Sequence, residues 1–199
     1  MITYTDIKRY DNVEFGKYLS MPGASQSYLK REINGLLPGM DVTENMRLGS
    51  MVDAIITEPH KVNIEDALYE PGKSIASQIK ATFGTMIERF EKQISYTGMA
   101  TYNGWGMVVK GRLDFLLPSL AVIDLKITKT KAKQIPALIE YMGYKHQLYH
   151  YCKFAGVTKA YLMIYCQPEK KTFLFNIDVT GHNEFWAEKI QKFGYPIAT

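Results

Sequence analysis

Cysteine is scarce in this sequence, because Cys152 and Cys166 are the only two such residues. Two well-separated thiols cannot build a four-thiolate cluster or a zinc site of that kind. Free thiols are typical of a reducing compartment, so we expect a cytoplasmic protein.

Long apolar runs and a strong excess of one charge are also missing. The longest apolar run, around residues 115–123, is short and is broken by Pro118, which excludes a membrane-spanning helix. The first residues, MITYTDIKRYDN, are polar and predict no signal peptide. The net charge of +4 permits a polyanionic partner without demanding one.

The composition is that of a globular protein. The chain has 199 residues, of which 46% are hydrophobic and 22% are charged. We find no internal repeat, linker or low-complexity tract. We therefore expect a single domain over residues 1–199 with a full core.

Residues 110–129, KGRLDFLLPSLAVIDLKITK, predict a β-hairpin around which the chain is organised. One strand spans about 107–116, a turn covers 117–120, and a second strand runs to about 128. A turn centred on Ser119 places Asp114 opposite Asp124 and Arg112 opposite Lys126. Side chains alternate along a strand, so these four charged residues are expected on one face.

The opposite face of this hairpin is uniformly apolar, with Leu113, Phe115, Ile123, Leu125 and Ile127 predicted to join the core. On the charged face, two opposed carboxylates would repel each other unless a positive group lies between them. A divalent cation such as Mg²⁺ or Mn²⁺ suits hard carboxylate oxygens. The alternative is an ordinary solvated strand face.

The remaining elements follow from periodicity and from turn residues. Residues 1–24 are expected to be irregular, and Asn103-Gly104 is the strongest hairpin signal. We predict helices over about 24–34, 45–58, 74–94, 136–155 and 181–193. Thr180 is expected to cap the last of them. Further strands are predicted over 95–102, 159–167 and 172–179. The strand 159–167 is expected to run parallel to 121–128, because a helix separates them.

Several polar residues are candidates for a site. Asp53 is flanked by the apolar stripe of the predicted helix 45–58, where a lone carboxylate is poorly placed. On the predicted helix 136–155, Gln147 and Tyr151 are four residues apart and share one face. His146 and His150 are also four residues apart, but no glutamate adjoins the first. We therefore expect surface or groove histidines rather than a zinc pair.

A cluster of lysines at residues 129–133 follows the second strand of the hairpin. A solvated loop is the ordinary interpretation, and contact with a phosphate backbone is the functional one.

In this order, the motifs resemble the PD-(D/E)XK nuclease superfamily, and more narrowly the RecE and lambda-type exonucleases of phages and prophages. The matching segments are GRLD at 111–114, IDLKIT at 123–128, QLYHY at 147–151 and LGSMVD at 48–53 with Glu58-Pro59. The serine-rich residues 25–29 are similar to the family's opening segment. The resemblance covers roughly residues 24–156.

This resemblance implies a fold and a chemistry. The fold would be α/β, with a restriction-endonuclease-like αβββαβ core and a mixed central sheet flanked by helices. The activity would be metal-dependent hydrolysis of linear double-stranded DNA, from 5′ to 3′, with Mg²⁺ or Mn²⁺ as cofactor. The implied metal ligands are Asp53, Asp114, Asp124 and the carbonyl of Leu125. The implied catalytic residues are Asp114, Asp124, Lys126, Gln147 and Tyr151. The implied substrate-binding residues are Arg112, Lys129 and Lys131.

The resemblance also implies partners and leaves alternatives open. It implies a ring-shaped homo-oligomer, a single-strand annealing protein as partner, no membrane, and a phage or prophage origin in a bacterial host. In most relatives position 53 is histidine, so Asp53 implies either altered metal preference or an inactive copy. An endonuclease or nickase of the same fold and a catalytically silent DNA-binding module remain the alternatives.

Overall fold

A mixed sheet forms the centre of the computed structural model, which describes residues 1–26, 28–29, 43–181 and 183–197. In these residues the sheet has seven strands in the order β1-β2-β3-β4-β5-β6, and β7 pairs with β3. The strands are β1 Thr3–Tyr10, β2 Glu91–Tyr102, β3 Trp105–Leu117, β4 Ala121–Thr128, β5 Lys159–Cys166, β6 Lys171–Ile177 and β7 Tyr195–Pro196. β4 and β5 run parallel as predicted, and the other strand pairs are antiparallel.

Helices cover both faces of the sheet, which confirms the predicted α/β class. The helices in the described residues are α1 Phe15–Ser20, α2 Glu44–Thr57, α3 Tyr69–Phe83, α4 Ile135–Met142, α5 Tyr144–Ala155 and α6 Glu184–Phe193. Apolar residues of α2 and α3 form one core cluster with Phe115, Ile123 and Leu125. Residues of α4, α5 and α6 form the other core cluster, with Leu113 and Leu116. None of the described helices has both the length and the apolar character needed to cross a membrane.

The turn between β2 and β3 forms as predicted. Tyr102 pairs with Trp105, and Asn103 and Gly104 both have positive φ, at 50° and 77°. This is the backbone that a two-residue Asn-Gly hairpin requires.

The N-terminal prediction was wrong. Residues 1–24 are not irregular, because β1 pairs with β2 along the edge of the sheet and α1 follows. β1 is mostly exposed, and its register shifts between Thr5 and Lys8. An exposed edge strand has little apolar alternation, so its order comes from backbone pairing rather than from a pattern in the sequence.

The predicted helix 74–94 was also placed wrongly. α3 begins at Tyr69, with Pro71 in its first turn, where a missing N–H costs nothing. The helix ends before Gly84, which has φ 56°, and β2 begins at Glu91, so Ile94 lies in a strand. Apolar residues keep a helical spacing of three and four through the short 3-10 turn Gly84–Arg89. The sequence pattern therefore did not reveal where α3 ends.

The predicted helices 45–58 and 181–193 were largely correct. α2 matches the predicted helix 45–58, and Pro59 opens a 3-10 turn directly after it. α6 is capped by Asn183, not by the predicted Thr180. For the predicted helix 24–34, the Tyr28 N–H donates to Ser25 Oγ at 3.2 Å, and residues 30–34 lie outside the described part of the chain.

The predicted helix 136–155 is two helices. α4 ends at Gly143, whose φ of 64° is left-handed, and α5 starts at the next residue. Gly156 has φ 66° and ends α5 as expected.

Candidate active site

The central hairpin has the predicted turn but not the predicted length of pairing. Phe115 pairs with Ile123 and Leu117 with Ala121, which centres the turn on Ser119. The pairing of β3 with β4 ends at Phe115, so the predicted ladder pairs of Asp114 with Asp124 and of Arg112 with Lys126 do not form. Beyond this point β3 and β4 separate.

The pairing of β3 with β2 is interrupted at the same position. Lys92 pairs with Phe115 and Ile94 with Leu113, but Gln93 and Asp114 between them are not paired, and Gln93 has φ 54°. The side chains change faces here: Leu113 joins the cluster with α5 and α6, and Phe115 joins the cluster with α2 and α3. The predicted apolar face is therefore correct for Phe115, Ile123, Leu125 and Ile127. It is wrong for Leu113, since strict alternation fails at this interruption.

Two of the three predicted acids lie at the separation between β3 and β4. Asp114 Oδ2 accepts a hydrogen bond from the Leu125 N–H at 2.7 Å, so its carboxylate lies where a backbone carbonyl would pair. Burial, and then the charges of Asp124 and Asp53, hold the pKa of Asp114 well above its usual range. Asp124 is 1% exposed and forms an ion pair with Lys126.

The third acid, Asp53, reaches the same place from α2. Its Oδ2 accepts a hydrogen bond from Gln93 Nε2 at 2.7 Å. Burial raises the pKa of Asp53 to about 7, and Lys126 and the Gln93 hydrogen bond limit the rise. The three carboxylates are thus near enough for their charges to interact.

Lys126 is held as a cation. Burial opposes its charge, but the Asp124 and Asp114 carboxylates overcome that penalty and raise its pKa above the usual value. Its Nζ lies 5.5 Å from the centre of the Tyr144 ring, a cation–π contact. Tyr144 is the first residue of α5, so the helix break at Gly143 places this ring.

Gln147 and Tyr151 lie together on α5, as predicted. The Gln147 Nε2 donates to the Tyr151 hydroxyl at 2.8 Å. Burial raises the pKa of Tyr151 well above its usual range, and the Asp124 charge adds to the rise. Tyr151 is therefore a neutral hydroxyl at the edge of the site.

The three predicted substrate contacts have different surroundings. The Arg112 guanidinium is 8% exposed and donates to Gln93 Oε1, to the Val13 carbonyl and to Glu58 Oε2 at 2.5, 2.6 and 3.1 Å. It is anchored within the protein. Lys129 and Lys131 are exposed, and Lys129 Nζ lies 4.0 Å from Glu44. Their part in substrate binding stays a prediction.

A cavity of about 870 Å³ opens over these residues. Its lining includes the polar residues Asp53, Asp114 and Gln147 and the aromatic residues Phe15 and Tyr18 of α1. The size is within the range of small-molecule and cofactor sites. The cavity therefore presents the carboxylates of Asp53 and Asp114 beside the neutral donors Gln147 and Tyr151. Asp124 and Lys126 do not belong to its lining.

The donor set suits a hard divalent cation, although the carboxylates are not arranged around one. Asp53 Oδ1 is buried and accepts no hydrogen bond, whereas the buried Asp124 Oδ2 has the Lys126 ammonium as its partner. Such oxygens favour Mg²⁺ or Mn²⁺. Within the described residues, however, no three His, Cys, Asp or Glu side chains converge as a metal-holding group. A joint site of Asp53, Asp114, Asp124 and Leu125 therefore stays a prediction.

The expectation for His150 was wrong. His150 is 0% exposed and bonds the Tyr4 hydroxyl at 2.8 Å and the Lys110 carbonyl at 3.1 Å. Burial lowers the pKa of His150 to about 3, so it is a neutral core residue. His146 lies 3.2 Å from Asn183 Oδ1 and stacks on Phe185.

Three residues of the site were missed by sequence reasoning. Gln93 touches Asp53 and Arg112, Tyr144 contacts Lys126, and Lys110 Nζ donates to carbonyls at the end of α1. Gln93 carries no local signal, because its contacts lie on other elements. Gly143, directly before Tyr144, was the available signal for the helix break.

Comparisons with known proteins bear on the fold. No protein-family model matches the sequence, and no curated protein matches it. The crystal structure of a Eubacterium rectale protein named "Putative exonuclease" superposes with a TM-score of 0.52 at 18% identity, covering 89% of this chain and 72% of that chain. A structure of SSO0001 gives a TM-score of 0.43 at 16% identity, covering 82% of this chain and 81% of that chain. The first match shows a shared fold, and the second score is too low to add to it.

Proposed function

We propose that this protein is a metal-dependent deoxyribonuclease that hydrolyses phosphodiester bonds of double-stranded DNA. The observation that carries the proposal is the meeting of Asp114, Asp124 and Lys126 where β3 and β4 separate, with Asp53 from α2 beside them. Clustered carboxylates, one of them paired with an ammonium, suit phosphoryl chemistry. The name of the Eubacterium rectale protein agrees with this class.

The proposed cofactor is Mg²⁺ or Mn²⁺. Asp114, Asp124, the Leu125 carbonyl and Asp53 would hold the ion, which when bound would polarise the phosphate and lower the pKa of a water. Asp114 would then give up its hydrogen bond from Leu125 or share it. Ligation requires the ionised carboxylates, so cation binding would displace protons from Asp53 and Asp114.

The proposed role of Lys126 is electrostatic. Because its pKa is raised, it is protonated at neutral pH and stabilises negative charge that develops on the phosphate. It is not placed to remove a proton from water while it is paired with Asp124. Tyr151 and Gln147 are neutral donors that would orient a phosphate oxygen or the attacking water.

The finer proposals rest on the motif resemblance. They are 5′ to 3′ digestion from the ends of linear duplex DNA, a ring-shaped homo-oligomer, cooperation with a single-strand annealing protein, and a cytoplasmic setting with a phage or prophage origin.

One gel tests the proposal. Purified protein is incubated with linear duplex DNA and with the same DNA as a closed circle, each with Mg²⁺, Mn²⁺ or EDTA. Loss of the linear form alone, and only with metal, is the expected result. Cutting of the circle would replace the exonuclease with an endonuclease, and no cutting with either metal would leave a DNA-binding module.

A further inference from the structure

Gln93 has an unusual backbone for a strand residue. Its φ of 54° lies in the left-handed region, although β2 keeps the same register with β3 on both sides of it. Residues other than glycine rarely adopt this conformation, and such positions cluster at functional sites. The pairing of the strands therefore does not by itself explain this conformation.

The side chain of Gln93 joins two elements of the site. Its Nε2 donates to Asp53 Oδ2 at 2.7 Å, and its Oε1 accepts from Arg112 Nε at 2.5 Å. The carboxylate can only accept and the guanidinium can only donate, so the amide has one orientation that satisfies both. Gln93 is 4% exposed, so water does not substitute for either partner.

The Gln93 side chain thus forms a bridge between Asp53 and Arg112, and Arg112 is also held by partners other than Gln93. The guanidinium also donates to the Val13 carbonyl and to Glu58 Oε2. The amide of Gln93 is therefore held by an anchored cation on β3, and it transmits that position to the carboxylate on α2.

The bridge leaves one oxygen of Asp53 without a partner. Oδ2 is held by Gln93, whereas Oδ1 is buried and accepts no hydrogen bond. Buried polar atoms are nearly always satisfied, so the exception at Asp53 requires an explanation, and a bound cation would supply one. Gln93 thus determines which oxygen of Asp53 stays available.

We propose that Gln93 is a positioning residue, which holds Asp53 through Oδ2 and keeps Oδ1 available to a divalent cation. The inference rests on the proposed function. Partners that hydrogen-bond a metal ligand typically change metal affinity about 10–100-fold, and we expect a loss in that range when Gln93 is removed.

The test is a titration of the DNA-free protein with Mn²⁺, in which free Mn²⁺ is measured by electron paramagnetic resonance. Gln93→Met keeps the length of the side chain and removes both hydrogen bonds, so its dissociation constant should rise about 10–100-fold. Gln78→Met is the matched control, because Gln78 lies in α3 outside the cavity lining and its side chain also makes two hydrogen bonds: it accepts from Tyr165 at 3.0 Å and donates to Ser74 Oγ at 3.5 Å. Its affinity should equal that of the wild type.

Each outcome decides the matter. A merely structural role for Gln93 would lower the melting temperature of Gln93→Met without changing its Mn²⁺ affinity, and would overturn the inference alone. An equal loss in Gln78→Met would also overturn it. A wild type that binds no Mn²⁺ would overturn the inference together with the proposed function. If Gln93→Met does not fold, Gln93→Asn, which is one methylene too short to span both partners, is measured with the same expectation.

Discussion

At the scale of single residues, the site depends on charges placed where water reaches them poorly. Asp124 is 1% exposed and balanced by Lys126, whereas Asp53 and Asp114 are held by hydrogen bonds from a neutral amide and a backbone N–H. Burial makes the carboxyl groups of Asp53 and Asp114 favour the neutral form until a cation arrives, and so raises their pKa. Their raised pKa values are therefore the physical mark of the site.

Lys126 provides the first prediction. Lys126→Met should reduce DNA cleavage at least about 100-fold, because a preorganised charge beside the phosphate is lost. Asp124→Asn should do the same through the loss of an ionised ligand. Cleavage is measured on linear duplex DNA, with binding of that DNA measured in EDTA. Both variants should still bind, and Lys8→Met, on the exposed edge strand, is the control. Cleavage at the wild-type rate would remove Lys126 and Asp124 from the mechanism.

The Tyr144 ring provides the second prediction, through its contact with Lys126. Tyr144→Leu should lower kcat about five-fold, since a cation–π contact is worth about 1 kcal/mol. Tyr144→Phe keeps the ring and should retain nearly the wild-type rate. The comparison of the two variants separates the ring from the hydroxyl. A loss in Tyr144→Phe equal to that in Tyr144→Leu would assign the effect to the hydroxyl instead.

At the scale of elements, the site forms because the β2–β3 pairing and the β3–β4 pairing are both interrupted at Asp114. β2 and β3 are unpaired at Gln93 and Asp114, and β3 and β4 separate from Asp114 onward. The helices α2 and α5 then supply Asp53, Tyr144, Gln147 and Tyr151 from outside the sheet. A continuous sheet would have left no space for them.

The break between α4 and α5 provides the third prediction. Gly143→Ala should destabilise the protein by about 1 kcal/mol, because φ is left-handed, and a new Cβ would lie 3.2 Å from His146 Cδ2. The displacement of α5 should also lower kcat. Gly156→Ala is the matched control, since it has the same left-handed φ but open space around a new Cβ. Its stability should fall by a similar amount with kcat unchanged. Stability is measured by urea denaturation and kcat by cleavage of linear DNA, and an unchanged kcat in Gly143→Ala would contradict the prediction.

At the scale of the whole molecule, the site is destabilising until its charge is balanced. Burial raises the pKa of Asp53 to about 7, so the folded protein binds a proton there that the unfolded chain releases at lower pH. The free energy of unfolding therefore falls, through this group, as the pH rises from about 4 to about 7. Above about pH 7 the contribution of Asp53 to the free energy of unfolding no longer changes with pH.

The fourth prediction follows from this sign. Asp53→Asn should unfold like the wild type near pH 4 and be more stable at pH 8, by up to about 4 kcal/mol. Urea denaturation at several pH values in EDTA measures the difference. Mg²⁺ should raise the stability of the wild type at pH 8 more than that of the variant, because binding to the folded state stabilises it. A difference between the two proteins that does not change with pH would contradict the prediction.

The order of the elements from α2 to α6 was readable from the sequence, apart from the break between α4 and α5, because it depends on neighbours along the chain. The Asn103-Gly104 turn, the turn at Ser119, α2 and the parallel pairing of β4 with β5 all follow from local turn chemistry and periodicity. β1 was not readable, since its order comes from backbone bonds to β2, a strand far along the chain.

The sequence by itself therefore determined the class of the fold, the two strands that carry Asp114, Asp124 and Lys126, and the pairing of Gln147 with Tyr151 on one helix face. The tertiary structure alone decided that the strands change faces at Gln93, that His150 lies in the core, and that Arg112 is anchored to Glu58. The bond from Gln93 to Asp53 spans 40 positions, and that from Arg112 to Glu58 spans 54. Contacts over such separations depend on how helices pack on the sheet, and local patterns carry no information about that packing.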